Sequence, residues 1–338
     1  MSKVTIKDIA RTAGVSLSTV SLALRGSPRV APATRQRILD VVQRLQYTLN
    51  PAGQALKRGF SDMILFCFAE DMDFDLFPVV YKVFDGVLAE AARAGLEVLW
   101  SRLDRSDTAL QRTAAYRPCG VVAIGLTPDS LGRVRRYSTN VVVIERPDDL
   151  ADLDLVGVDN LAVGRLAATR ITEAGHRRVA CLTGKAGGRR EAERVDGCLQ
   201  VLREAGVRSP EKAVLTVDAY RAEAGQRAAA AVLARRSRPT AVFVAAGDPV
   251  ACGLVQGLTE RGLRIPADMS VVGFDGTVAA YCAPVLATVA QPLREFGAVA
   301  VRILIQKRDG VLVGMPQRVI LPPSWSPGAS LAKPPGSA

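Results

Sequence analysis

An α/β fold is predicted: a small all-α unit at the amino terminus, then two doubly wound parallel sheets. Three observations predict it. Residues 5–25, TIKDIARTAGVSLSTVSLALR, hold two short helical patterns hinged on a glycine. From Asp62 onward, strand-like apolar runs alternate with helical ones, the rhythm of strand-helix units in layers. A chain of 338 residues with 49% hydrophobic but only 5% aromatic residues suits two or three units with Ala- and Val-rich cores.

In the first pattern Ile6, Ile9, Ala10 and Ala13 recur at helical spacing, and Gly14 stops the helix. Thr5 with Asp8 forms a capping box. Val15 packs the turn, Ser16 caps a second helix, and that helix turns Val20, Ala23 and Leu24 inward. Leu17, Ser18, Ser21 and Leu22 are left on the outer face, where a helix-turn-helix meets base edges. A helical hairpin buried in a larger core is the competing reading. A third helix is expected over residues 32–46, with Ile38, Val41, Val42 and Leu45 inward and Pro32 at its first position.

Charge separates the two readings. The net charge is +11, and residues 1–60 hold ten Lys or Arg against Asp8 and Asp40, a local balance of +8. A basic block of this kind points to a polyanion, because neutralised phosphates release counterions.

The later elements follow in order. Strands are expected at residues 63–69, 96–102, 121–126 and 141–145, with a helix over 78–94. The alternation continues with helices over 162–175, 193–205, 223–235 and 250–262 and strands at 178–184, 213–217, 241–245 and 269–275. Ligands of such folds sit beyond the carboxyl ends of the strands. There Arg194 offers a fork of donors and Asp275 an acceptor pair, a set suited to vicinal hydroxyls. Phe77 or Tyr220 would cover an apolar sugar or base face, and Arg146, Asp159 and Asp248 would be further polar contacts or supports. Against this, Arg194 and Asp275 could be an ion pair joining loops, with the aromatics in the core.

Other chemistry is not assembled. The six cysteines lie far apart without ligand spacing and read as reduced core thiols of a cytoplasmic protein. No apolar leader, membrane span, metal cluster, catalytic residue or cofactor is expected. His176, the lone histidine, is expected to cap carbonyls at a helix end, and GKAGG at Gly184 lacks the spacing of a phosphate loop.

Taken together, TIKDIA, AGVS, STVS, Asn50-Pro51 and Gln54-Ala55-Leu56-Lys57 resemble the headpiece and hinge of the lactose/purine repressor (LacI/GalR) family. The resemblance continues through Val158-Asp159-Asn160, GHRRVACLTG from Gly175, Arg194 before Gly197, VVGFD ending at Asp275, and TVAQP from Thr288. It implies that Leu17 and Ser18 read bases, with Ser21, Leu22 and Arg25 beside them. Thr5, Ser16, Thr19, Thr34, Asn50 and Arg29 would hold phosphates. Residues 51–57 would form a hinge helix that meets DNA through Gln54 and Lys57 and wedges Leu56 into the minor groove.

It also implies a periplasmic-binding-protein-like core of two doubly wound subdomains. The divisions are residues 1–46 for the headpiece, 47–60 for the hinge and linker, and 61–326 for the core, with 327–338 as a flexible tail. Within the core one subdomain takes 61–159 plus 291–319 and the other 160–290 plus 320–326. The implied protein is a ligand-responsive transcriptional repressor, a homodimer on a near-palindromic double-stranded DNA operator, with tetramers left open. Its effector is a sugar by preference, with a nucleoside or small acid as alternatives. A solute-binding protein and an effector-independent architectural DNA-binding protein are the competing functions. Departures from the family pattern fall at Leu22, at Ala31-Pro32, at Gly247-Asp248 and in WSPGAS, residues 325–330.

Overall fold

The computed structural model describes residues 4–24, 27–47, 59–69, 77–104, 106–145, 152–184 and 188–336. It divides into a unit over Met1–Gly59 and one over Phe60–Ala338.

In the first unit, α1 (Ile6–Ala13) begins where the Thr5 N–H and hydroxyl both donate to Asp8 Oδ2, at 3.0 and 2.7 Å. This is the expected capping box of Thr5 and Asp8, with the Asp8 N–H also donating to the Thr5 carbonyl at 3.0 Å. Gly14, at φ +63°, turns the chain out of α1 in the left-handed region. Ser16 Oγ accepts the Thr19 N–H at 3.1 Å and so caps α2 (Leu17–Leu24). Pro32 sets the entry to α3 (Pro32–Arg44), which has no side-chain cap at Ala31 and stops two residues short of the expected end. Ile9, Ala13, Val20, Val30, Ile38 and Val41 form the core of these three helices.

The second unit has two lobes. The first lobe opens with β1 (Ser61–Phe68), α4 (Phe77–Arg93), β2 (Glu97–Arg102), α5 (Thr108–Ala114), β3 (Pro118–Ile124), α6 (Pro128–Arg135), β4 (Val141–Ile144) and β5 (Asp154–Val158). The second opens with α7 (Asn160–Glu173), β6 (Val179–Thr183), α8 (Arg189–Glu204), β7 (Val214–Thr216), α9 (Ala222–Leu233), β8 (Ala241–Val244), α10 (Asp248–Thr259), β9 (Ser270–Asp275) and β10 (Ala287–Ala290). The chain then returns with α11 (Leu293–Arg308) and β11 (Arg318–Leu321), and closes with β12 (Ser324–Ser326). The sheet orders are β11-β5-β4-β3-β1-β2 and β12-β10-β9-β8-β6-β7, parallel except for the β10–β12 pair. Strands β3 to β6, β8 and β9 are buried almost throughout, as parallel strands covered on both faces must be. Because β11 lies in the first sheet, the last crossing falls after Leu321 rather than at residue 320.

Helices pair across glycines in both lobes. A Cβ on Gly86 would lie 1.9 Å from the Arg294 carbonyl oxygen, one on Gly164 1.9 Å from that of Arg194, and one on Gly225 1.9 Å from that of Val250. Backbones therefore touch where side chains would normally intervene.

The flexible tail expected from composition does not hold over residues 327–336. Ser330 is fully buried: its Oγ donates to the Val271 carbonyl and accepts the Ala287 N–H at 2.9 Å, while its own carbonyl accepts from Val271. His176 completes the anchor and does not cap a helix. Its Nε2–H donates to the Ala332 carbonyl at 2.8 Å, which leaves Nδ1 to accept from the Thr240 hydroxyl at 2.9 Å. Small residues suit this segment because it threads against β9 and β10, where backbone groups need partners more than side chains need space.

Burial holds the His176 imidazole below its ordinary value, against the opposing pull of the Ala332 carbonyl. The unfolded chain therefore takes up that proton first, and stability is lost as pH falls below about 6.5. His176→Ala is expected to cost about 1–3 kcal/mol at pH 7.5 and to remove part of this acid-side loss; urea denaturation at pH 5 to 7.5 measures both.

Candidate DNA-reading surface and effector cleft

On the headpiece, Ser16, Leu17 and Ser18 are exposed at the start of α2, and Leu17 keeps 45% of its surface despite being apolar. Ser16 Oγ lies 2.7 Å from Ser18 Oγ and 2.8 Å from Thr19 Oγ1, so three hydroxyls share one corner. Thr5 and Arg29 are exposed, and Ser21 and Thr34 are half-buried. Leu22 differs from expectation: it packs against the headpiece core and presents only part of its surface. Arg25, Asn50, Gln54, Leu56 and Lys57 lie outside the described residues.

In the second unit, the carboxyl ends of the strands bring Arg194, Tyr220 and Asp275 to one cavity of about 180 Å³. Arg194 is held on three sides. One guanidinium NH donates to Asn160 Oδ1 at 2.6 Å and another to Glu191 Oε1 at 3.1 Å, with the guanidinium carbon 4.6 Å from the Phe274 ring centre. Its Nε is buried and makes no hydrogen bond among the described residues. No Arg194–Asp275 ion pair forms; Arg194 is neutralised by Glu191, which also accepts from the Tyr220 hydroxyl at 3.2 Å. Burial pushes the Glu191 carboxyl up, but Arg194 and Arg190 outweigh it and leave it below the usual range.

Asp275 ends β9 at φ +103°, a backbone state that non-glycine residues rarely adopt. Gln291 Nε2 donates to its Oδ1 at 2.6 Å. Burial pushes its carboxyl up to about 8, with the Asp248 charge adding to the rise and Arg194 and Gln291 opposing it. Gly247, φ +112°, lies alongside: a Cβ there would sit 2.7 Å from Asp275 Oδ2. The glycine at this departure from the family pattern is thus the residue that leaves room for Asp275.

Asp248 supports the site without lining it. Fully buried at the start of α10, it accepts from the Thr277 N–H at 2.8 Å and the Thr288 hydroxyl at 2.7 Å. Burial lifts its carboxyl to about 6. Asp159 is exposed, caps α7 by accepting the Ala162 N–H at 2.9 Å, and faces a different opening of about 380 Å³. Arg146 and the Phe77 side chain lie outside the described residues.

Four polar or charged residues of the cavity were not singled out from sequence, Glu145, Arg190, Glu191 and Gln291, nor was its aromatic Phe274. Glu145 is the residue after β4, the strand-end position that such folds use. Its Oε1 accepts the Val158 N–H at 2.9 Å and its Oε2 lies 3.5 Å from Arg190 of the other lobe. Lys82 makes a second tie across the lobes by donating to the Gly276 carbonyl. Both Glu145 and Arg190 line the 180 Å³ and 380 Å³ spaces, so their ion pair borders both.

The raised Asp275 and Asp248 carboxyls keep protons that the unfolded chain loses above about pH 4, so the stability they contribute is lost as pH rises from about 4 toward 8. Asp275→Asn is expected to flatten that fall by at least about 1 kcal/mol; chemical denaturation at pH 5, 6, 7 and 8 tests it, and an unchanged slope would remove Asp275 as the titrating group.

The comparisons with known proteins agree with this geometry. A family model described as bacterial regulatory proteins, lacI family, matches residues 5–50, and one described as a periplasmic binding protein-like domain matches residues 168–331. The HTH-type transcriptional regulator DegA of Bacillus subtilis (strain 168) is 30% identical over 95% of this chain and 96% of its own. The solved Lac repressor dimer, bound to operator and the anti-inducer ONPF, is 26% identical with a TM-score of 0.78, over 98% of this chain and 100% of that one. The transcriptional regulator CelR in complex with cellobiose is 27% identical with a TM-score of 0.72, over 97% and 100%. With DegA matched nearly end to end, the helix-turn-helix headpiece and two-lobed core identify this chain as a member of the LacI family, a DNA-binding transcriptional regulator.

Proposed function

We propose that the chain represses transcription as a homodimer whose two headpieces read the halves of a near-palindromic operator, under control of a small polyhydroxylated effector. The cavity carries the effector part of the reading. Its Arg194 fork over the Phe274 ring, neutral Tyr220 hydroxyl, Gln291 amide and Asp275 carboxyl, which burial keeps largely protonated at neutral pH, supply donors and acceptors in fixed directions. That mixture suits vicinal hydroxyls on a ring with one apolar face, and a related chain, CelR, was solved with cellobiose. Nucleosides share this chemistry through their ribose.

Reading of DNA rests on Leu17 and Ser18 at the amino end of α2, the part of a recognition helix that reaches base edges, with Ser16 before them holding a phosphate. Ser18 would exchange hydrogen bonds with bases and Leu17 would touch a thymine methyl. Thr5, Thr19, Ser21, Arg29 and Thr34 would hold phosphates or flank the reading helix, joined by Arg25 and Asn50. Gln54, Leu56 and Lys57 of the hinge would enter the minor groove, and Leu22 would serve the headpiece core more than the DNA. The reading places the protein in the cytoplasm with its operator, assigns it no catalytic step, and makes Asp248 and Asp159 supports. No helix among the described residues is long and apolar enough to cross a membrane.

A thermal-shift screen of sugars, nucleosides and small acids on the full chain identifies the effector, since a ligand at a hundred times its dissociation constant adds about 2.7 kcal/mol. Arg194→Met is expected to abolish that shift and leave operator affinity without effector within about twofold; an effector that still stabilises this variant would place its site elsewhere. Operator selected from random duplexes should bind with a steep salt dependence, a log-log slope of about −0.9 for each phosphate contacted. A flat profile would sink the headpiece reading.

A further inference from the structure

A second concave site lies at the other end of the second sheet. Where the ligand cavity opens past the carboxyl ends of β6, β8 and β9, the amino ends of β6 and β8 border a groove of about 940 Å³. The five residues of β6 separate the two by about 17 Å. Arg177, Arg178, Arg208, Lys212, Arg235 and Arg236 line the groove and no carboxylate does. They come from three places in the chain: the turn into β6, the turn after α8, and the end of α9.

This clustering is not general excess charge. Beyond residue 60 the chain carries only +3 of the +11. Several other cations of the same lobe rest on carboxylates, Arg203 on Glu211, Arg227 on Asp218 and Arg264 on Asp268. By contrast, the side chains of Arg178, Arg208, Arg235 and Arg236 have no hydrogen-bond or ion-pair partner among the described residues. Like charges converging on one concavity repel, and an anion placed among them relieves that repulsion. The floor is apolar, formed by Val179, Ala180, Val207, Pro210 and Pro239.

We propose that this groove binds a nucleoside polyphosphate, its base on the apolar floor and its phosphates in the arginine forks. Guanidinium forks match phosphate oxygens in pairs, and six cations answer a ligand of three or four negative charges better than a monoanion. The volume falls in the ordinary range for small-molecule sites, about 300–1,000 Å³. A DNA duplex is the lesser fit, because it is convex and would rest on the rim without reaching the floor.

The test is isothermal titration of ATP, GTP and inorganic tripolyphosphate into the full chain in magnesium-free buffer. It compares the parent with Arg208→Glu/Arg236→Glu, with the milder Arg178→Gln/Arg208→Gln, and with Asp275→Asn. All three arginines changed are exposed, and matching thermal melts confirm folding. Expected is that ATP or GTP binds the parent and Asp275→Asn equally, and that charge reversal weakens binding at least about tenfold. The milder pair should be intermediate. Any binding at the basic headpiece persists in the groove variants, so the difference between chains is the readout. The proposal is overturned if neither nucleotide distinguishes the parent from the charge-reversed chain. It is also overturned if tripolyphosphate binds as tightly as both nucleotides, or if the groove variants lose affinity for a nonspecific 20-base-pair duplex and not for nucleotide.

Discussion

The ligand cavity depends on two helices meeting with nothing between them. A Cβ on Gly164 would strike the Arg194 carbonyl, and one on Gly197 would lie 2.1 Å from the carbonyl oxygen of Leu161. This contact brings α8 close enough for Arg194 to reach Asn160 on α7 while its guanidinium stays over Phe274 on β9. A methyl at either glycine must push the helices apart, and the first thing lost is the Arg194 position, since its three supports lie on three different elements. The backbone contact therefore does for specificity what a hydrogen bond alone cannot, because it leaves no alternative spacing.

The same economy governs the buried carboxylates. Asp248 is fully buried on α10, where the Thr277 N–H and the Thr288 hydroxyl stabilise its ionised form. Its charge in turn helps to keep Asp275 protonated. Gly247 leaves the space that the Asp275 carboxyl fills at the end of a strained backbone. Strain and a perturbed acid at the end of a central strand are what a built site looks like when the surrounding residues over-determine it.

Much of this was legible in the sequence. The strand-helix rhythm and the strand-end rule singled out Arg194, Tyr220 and Asp275, and local cap chemistry located α1 and α2 through Thr5, Asp8, Gly14 and Ser16. What was not legible depends on partners far apart in the chain. Glu145 and Arg190 become a pair only when two lobes close on each other. Gly247 reads as a missing contact until Asp275 is seen to need its space. Residues 327–336 have the composition of a disordered tail, yet Ser330 and the His176–Ala332 bond seat them against β9 and β10. Composition reports average burial, whereas one buried hydroxyl at the right backbone position decides this segment.

The cross-lobe ties determine how an effector acts. A ligand shifts a conformational equilibrium only by the difference in its affinity for the two states. Here Glu145–Arg190 and Lys82–Gly276 join the two lobes. A molecule in the 180 Å³ cavity, on Arg194, Gln291 and Asp275, would add contacts to the arrangement that these ties hold. One long enough to extend along the neighbouring 380 Å³ space would run past Glu145 and Arg190, which border both. The lobe arrangement that these ties hold is therefore the equilibrium on which a cleft ligand would have to act.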